Sequence, residues 1–127
     1  MSAFADADSI PPREIWPGIV ARAVESERLS LALVELAPGS VVPAHSHDAE
    51  QVGFLVEGSL TFTIGEEVAE LQRGGSWRIL ANVPHSVVVG PEGAVAIEVF
   101  SPRRGDWSAI PASDPVRGRW PQEREST

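Results

Sequence analysis

PAHSHDAEQVGF, residues 43–54, carries two of the three histidines in the chain, and its reading decides the fold. In an extended backbone side chains alternate between faces, so His45 and His47 project from one side. Gln51 keeps the same parity if the backbone stays extended. A helix would also bring His47 and Gln51 together, four residues apart, but Gly39, Pro43, Gly53 and the β-branched neighbours oppose a helix here. The strand reading stands, and it lets three nitrogen or oxygen donors converge. The third histidine, His85, follows the turn-like run Asn82-Val83-Pro84 and opens another strand.

Outward from this stretch the chain reads as short strands: LSLALVEL (29–36), QVGFLVEG (51–58), SLTFTIG (59–65), EVAEL (67–71), SWRIL (76–80), HSVVVG (85–90) and AVAIEVF (94–100). In SLTFTI, Leu60, Phe62 and Ile64 alternate with Ser59, Thr61 and Thr63, a period of two that turns one side to a core. Pro38-Gly39, Glu57-Gly58, Gly65-Glu66, Gly74-Gly75 and Pro91-Glu92-Gly93 break the runs. Only ARAVESERL, 21–29, could pass for a helix. Many strands with turns between them predict an all-β antiparallel sandwich or barrel. Residues 1–15 and the proline-bearing tail from Ser108 read as irregular arms, with Trp16 and Trp120 in or beside them and expected to dock on a neighbour.

The 127 residues suit one domain over 1–127, with the barrel part at about 29–100. Hydrophobic residues make up 43% and charged ones 22%, the range of ordinary globular proteins rather than disordered or membrane ones. No run approaches the roughly 18 apolar residues of a membrane span, and MSAFADADS lacks the pattern of a secretory signal, so a cytoplasmic location is expected. Cysteine is absent, which removes disulfide and thiol chemistry and leaves nitrogen and oxygen to hold any metal. A net charge of −8 without a basic run repels a phosphate backbone, so nucleic acid is not an expected partner. An anionic small molecule would need a local cation or a few arginines.

The residues that run through these histidines resemble the cupin superfamily, whose first motif is G-x5-H-x-H-x(3 or 4)-E-x6-G. Here Gly39, His45, His47 and Gly58 keep the spacing and Gln51 stands in the acidic position. The second motif, G-x5-P-x-G-x2-H-x3-N, falls on Gly74, Leu80, Asn82, His85 and Val89, keeping the spacing, the first glycine and the histidine while the proline, second glycine and final asparagine are replaced. The resemblance implies a cupin-type double-stranded β-helix, a jelly-roll barrel. It also implies one divalent transition metal (zinc, nickel, manganese, iron or cobalt) on His45, His47, Gln51 and His85. Glutamine leaves that ligand set neutral, so the ion would keep its full charge and favour anionic ligands.

Glu98 interrupts the apolar strand 94–100 on the face of Ala94, Ala96 and Phe100. Alternation alone leaves open whether that face looks inward, where Glu98 could act as general acid or base. Arg103 and Arg104 follow at the strand end, where one could grip a substrate carboxylate. Trp77 and Arg78 take opposite faces, so at most one lines a cavity, and Trp77 reads first as core.

HSHDAEQVGFLVEGSLTFTIG, NVPHS and EVFSPRR together look like the KdgF-like pectin-degradation cupins. That group is associated with converting 4,5-unsaturated monouronates into linear 4-deoxy-5-keto-uronates. By that resemblance Glu98 and Arg104 are the catalytic candidates and Phe100 packs against the substrate; Arg103, from the arginine pair, and Trp77 and Leu55, as barrel lining, are the further substrate-binding candidates. A small anionic substrate and a homodimer are expected. Two rivals remain. One is a dioxygenase or cyclase for an aromatic or polyketide-like substrate, in a barrel lined by Phe54, Leu55, Trp77 or Phe100, which oxygen consumption would reveal. The other is a non-catalytic binding module, which would bind tightly without turnover.

Overall fold

The computed structural model describes residues 2–121; Met1 and 122–127, within the expected domain, lie outside the described residues. Eight strands form one continuous hydrogen-bonded sheet: β1 (Arg13–Trp16), β2 (Ile19–Glu25), β3 (Ser30–Leu36), β4 (Val41–His45), β5 (Glu50–Ile64), β6 (Glu67–Leu71), β7 (Ser76–Ile79) and β8 (His85–Ser101). Every pairing is antiparallel. Short 3-10 helices occupy Ala7–Ser9 and Gly105–Ala109.

All seven strands read from the sequence are present, but four of them merge into two. QVGFLVEG and SLTFTIG are one strand, β5, and HSVVVG and AVAIEVF are one strand, β8. These two pair along their whole length, from Glu50 opposite Ser101 to Ile64 opposite His85, with register shifts between Leu55 and Glu57 and between Gly58 and Leu60. The bend folds the sheet into two leaves. One leaf runs β1-β2-β3, the C-terminal half of β8, the N-terminal half of β5, then β7. The other runs β4, the N-terminal half of β8, the C-terminal half of β5, then β6. This is the antiparallel barrel that the alternating pattern anticipated, in the jelly-roll form that the cupin resemblance implied.

Gly58 makes the bend possible. Its backbone sits at φ +80°, and a β-carbon there would run into the carbonyl of Gly93 on the paired strand. Gly58→Ala is expected to destabilise the fold by more than about 2 kcal/mol in a urea titration, because it adds left-handed strain to a backbone collision.

Two expectations near the N-terminus need correction. ARAVESERL is not helical: Ile19–Glu25 pairs with Ser30–Leu36 as a hairpin, closed by the Ser26 N–H on the Leu29 carbonyl at 2.9 Å. Ala, Glu and Arg favour helices weakly, and burial of Ile19 and Ala21 between the leaves outweighs that preference. The arm 1–15 is not wholly irregular either, since Arg13–Trp16 pairs with β2 across Pro17-Gly18, with Gly18 at φ +78°. Beyond Ser108 the described residues, to 121, form no strand and strap the outer face of β2 and β3. There the buried Arg22 bridges Glu35 at 3.0 Å and donates to the Val116 carbonyl at 2.9 Å.

Inward side chains of both leaves meet in one core that includes Ile19, Val34, Leu36, Leu60, Phe62, Ile79, Val87 and Phe100. At one end polar side chains interrupt it, and there the three histidines meet. No helix among the described residues is long and apolar enough to cross a membrane.

Candidate active site

His45 ends β4 and pairs directly with His85, the first residue of β8. His47 does not follow from strand parity, because β4 stops at His45 and residues 46–49 form a connection. That connection is pinned where the Asn82 N–H donates to the His47 carbonyl at 2.8 Å. Asn82 has φ +65°, the left-handed conformation that glycine adopts freely and asparagine tolerates, which accounts for asparagine in the glycine position of the second motif. Gln51 arrives from β5, opposite Phe100. The donors thus converge from three strands and a loop rather than from one strand face.

The ligating nitrogens of His45, His47 and His85 all lie within 4.8 Å of one another. Their Nδ1 atoms face backbone carbonyls: Pro43 at 2.9 Å, Ala49 at 2.8 Å and Val83 at 2.8 Å, respectively. A carbonyl only accepts, so each Nδ1 carries the proton and each Nε2 keeps a lone pair. The Nε2 atoms of His47 and His85 are buried without a hydrogen-bond partner. Burial holds both rings below the ordinary histidine range, His85 to about 4, so they stay neutral at pH 7. Neutral, pre-oriented imidazoles whose buried lone pairs have no donor are what a divalent transition metal requires.

Glu98 faces inward, which settles the question that alternation left open. Its Oε1 accepts from Gln51 Nε2 at 2.6 Å and from Trp77 Nε1 at 3.0 Å. The first bond fixes the amide, so Gln51 turns its oxygen away from the carboxylate and toward His47. Desolvation raises the pKa of Glu98, opposed by these two hydrogen bonds and by the charge of Arg104. Both bonds end on Oε1, and Oε2 accepts none from the described residues. Trp77 lines the cavity as well as packing in the core, because Gly53 opposite it has no side chain; a β-carbon there would stand 2.7 Å from the indole.

His45, Gln51, His85, Glu98, Phe100 and Arg104 line one end of a cavity of about 60 Å³, and Val34, Leu36, Leu60 and Phe62 the other. Arg104 closes the polar end, with its guanidinium 5.0 Å from the centroid of Phe100. The structure does not bring the remaining candidates to this cavity. Leu55 points inward in alternation with Gln51 and Gly53, but it packs into the core at 1% exposure and does not line the cavity. Arg103 is exposed and borders a groove outside the barrel, and Phe54 faces outward. Sequence reading missed Trp16 and Trp107. Trp16 stacks on His45 with ring centroids 5.2 Å apart, and Trp107 packs on Phe100 at 5.1 Å. The turn signal Pro17-Gly18 between Ile15-Trp16 and Ile19-Val20 marks a hairpin that would have carried Trp16 to the barrel.

The lowered histidine pKa values set a pH dependence. Folded His85 binds fewer protons than unfolded His85 between its ordinary 6.5 and about 4. Stability of the metal-free protein from this group is therefore fully present above the upper value and is lost as pH falls through the lower one. Glu98, shifted upward, works in the opposite sense. Urea midpoints of metal-free protein at neutral and mildly acid pH are expected to drop with acidity, and His85→Gln should flatten that drop.

Comparison with known proteins agrees with this geometry. The cupin domain family matches residues 32–100. Pectin degradation protein KdgF of Dickeya dadantii is 32% identical over 102 residues, covering 79% of this chain and 93% of that one. The structure of KdgF from a Halomonas species superposes with a TM-score of 0.76 at 25% identity, over 84% of this chain and 98% of that one. An RmlC-like cupin from Shewanella frigidimarina, at 24% identity, gives a TM-score of 0.77 over 84% of this chain and 96% of that one, and supports the fold. The chain belongs to the cupin family and, within it, sides with the KdgF proteins.

Proposed function

We propose that this protein is a metal-dependent isomerase that opens the ring of 4,5-unsaturated monouronates to give linear 4-deoxy-5-keto-uronates. The observation that carries the reading is Glu98: a desolvated carboxylate with one oxygen tied by Gln51 and Trp77 and the other free, between the histidine cluster and Arg104.

The reaction moves one proton and adds nothing. The anomeric hydroxyl loses its proton, the bond from the anomeric carbon to the ring oxygen breaks with its electron pair going to that oxygen, and an enolate remains at C5. A proton added at C4 then leaves a ketone at C5 and an aldehyde at C1. Glu98 Oε2 accepts the hydroxyl proton and returns it to C4, work suited to a carboxyl whose pKa burial raises above the ordinary carboxylate value. Gln51 and Trp77 keep that carboxylate from rotating. Arg104 grips the substrate carboxylate, and Phe100 offers the sugar an apolar wall. A divalent metal on His45, His47, His85 and Gln51 would supply positive charge against the negative charge that builds on oxygen as the ring opens.

An aromatic or polyketide-like substrate fits less well, since a carboxylate and a guanidinium both face the cavity. The test follows the absorbance of an unsaturated monouronate, freshly released by a polysaccharide lyase, with and without metal-loaded protein. Faster decay with formation of the linear keto acid supports the reading. Decay no faster than in buffer overturns it.

A further inference from the structure

Asp106 lies outside the motifs and takes no part in the chemistry above. Its carboxylate accepts two parallel hydrogen bonds from Arg104, Oδ1 from Nε at 3.0 Å and Oδ2 from Nη2 at 2.8 Å. The same guanidinium lies 5.0 Å from the centroid of Phe100 and 4.8 Å from that of Trp107. Its backbone N–H donates to the fully buried Ser30 Oγ at 2.8 Å, which ties the start of the Gly105–Ala109 helix to β3. An exposed ion pair usually contributes little, but a two-pronged arginine–carboxylate pair on a stacked guanidinium fixes orientation.

A guanidinium has five N–H groups, and Asp106 engages two of them along the Nε edge. Among the described residues no group accepts from Nη1. One of its hydrogens and the second on Nη2 make up the other edge, whose spacing matches the two oxygens of a second carboxylate.

The geometry points to Asp106 as a positioning residue that holds one edge of Arg104 so that the opposite edge is presented to the carboxylate of an acidic substrate in the barrel. The identity of that substrate as a uronate rests on the reading above; the division of the guanidinium into a held edge and an offered edge does not. Asp106→Asn keeps the shape and loses the two-pronged grip, leaving Arg104 free to swivel between its flanking rings.

For the unsaturated uronate, Asp106→Asn is expected to raise KM about tenfold and to leave kcat within about twofold of wild type, a loss of ground-state and transition-state binding alike. The methyl ester, which lacks the anion, should be indifferent to the substitution. In an Arg104→Lys background Asp106→Asn should add nothing. Calorimetric binding of a saturated hexuronate and its methyl ester to zinc-loaded protein gives the same contrast without turnover. Acid-selective weakening in that titration supports the inference even if no ketonisation is found, so the two readings fail separately. Equal losses for acid and ester, a fall in kcat at unchanged KM, or no binding of the acid by the wild type would each overturn it. Tighter binding of the acid by the variant would overturn it as well, since Asp106 would then be a competitor for Arg104.

Discussion

Glu98→Gln is expected to lower kcat by about 10²–10⁴-fold, the range general acid–base catalysis contributes, while the metal content of the purified protein should stay at the wild-type level. The amide oxygen of the new side chain can still accept from Gln51 Nε2 and Trp77 Nε1, so the wall of the cavity keeps its shape. What is lost is a group that takes and returns a proton at Oε2. The separation of rate from metal content makes the measurement decisive. A variant with wild-type kcat would remove Glu98 from the chemistry, and one stripped of metal would show that the carboxylate acts through Gln51. Steady-state kinetics beside elemental analysis of the same preparation reads both.

The second large effect is expected at the histidines. His85→Ala removes one buried Nε2 and leaves the two Nε2 atoms of His45 and His47. Metal affinity should fall by more than about 100-fold, beyond the range that loss of an outer hydrogen-bond partner costs. Activity should fall with it. The far-ultraviolet spectrum should not change, because in the metal-free protein the His85 Nε2 is a buried acceptor with no partner and its removal relieves a desolvation cost. Competition against a chelator of known affinity gives the magnitude. Wild-type retention of metal by His85→Ala would place the ion elsewhere. Gln51→Ala makes a milder companion, since it removes a neutral oxygen and also unties Glu98.

How much of this was legible beforehand differs from place to place. His45, His47 and His85 were found because three histidines in one pattern are rarer than any of them alone, and the pattern survives however the chain gets from one to the next. The route was misread, since His47 comes in on a loop pinned by Asn82 rather than on a strand face. The residues at 21–29 show the opposite case: local preference pointed weakly to a helix, and only the leaf waiting to pair with Ile19–Glu25 outweighs it. Leu55 and Arg103 lie close in sequence to site residues, but core packing takes up the first and the turn after β8 sets the second against an outer groove.

Sequence by itself determined the alternating strands, the turns between them, the absence of sulfur ligands and the set of nitrogen and oxygen donors, because these depend on residue type and on spacing along one chain. Only the tertiary structure decided which face of β8 looks inward, which oxygen of Glu98 is left free and which edge of Arg104 Asp106 holds. Such facts arise between residues 47 positions apart, as Gln51 and Glu98 are, or from a side-chain rotation about a few bonds. No periodicity records them, since they exist only once the two leaves have closed on each other.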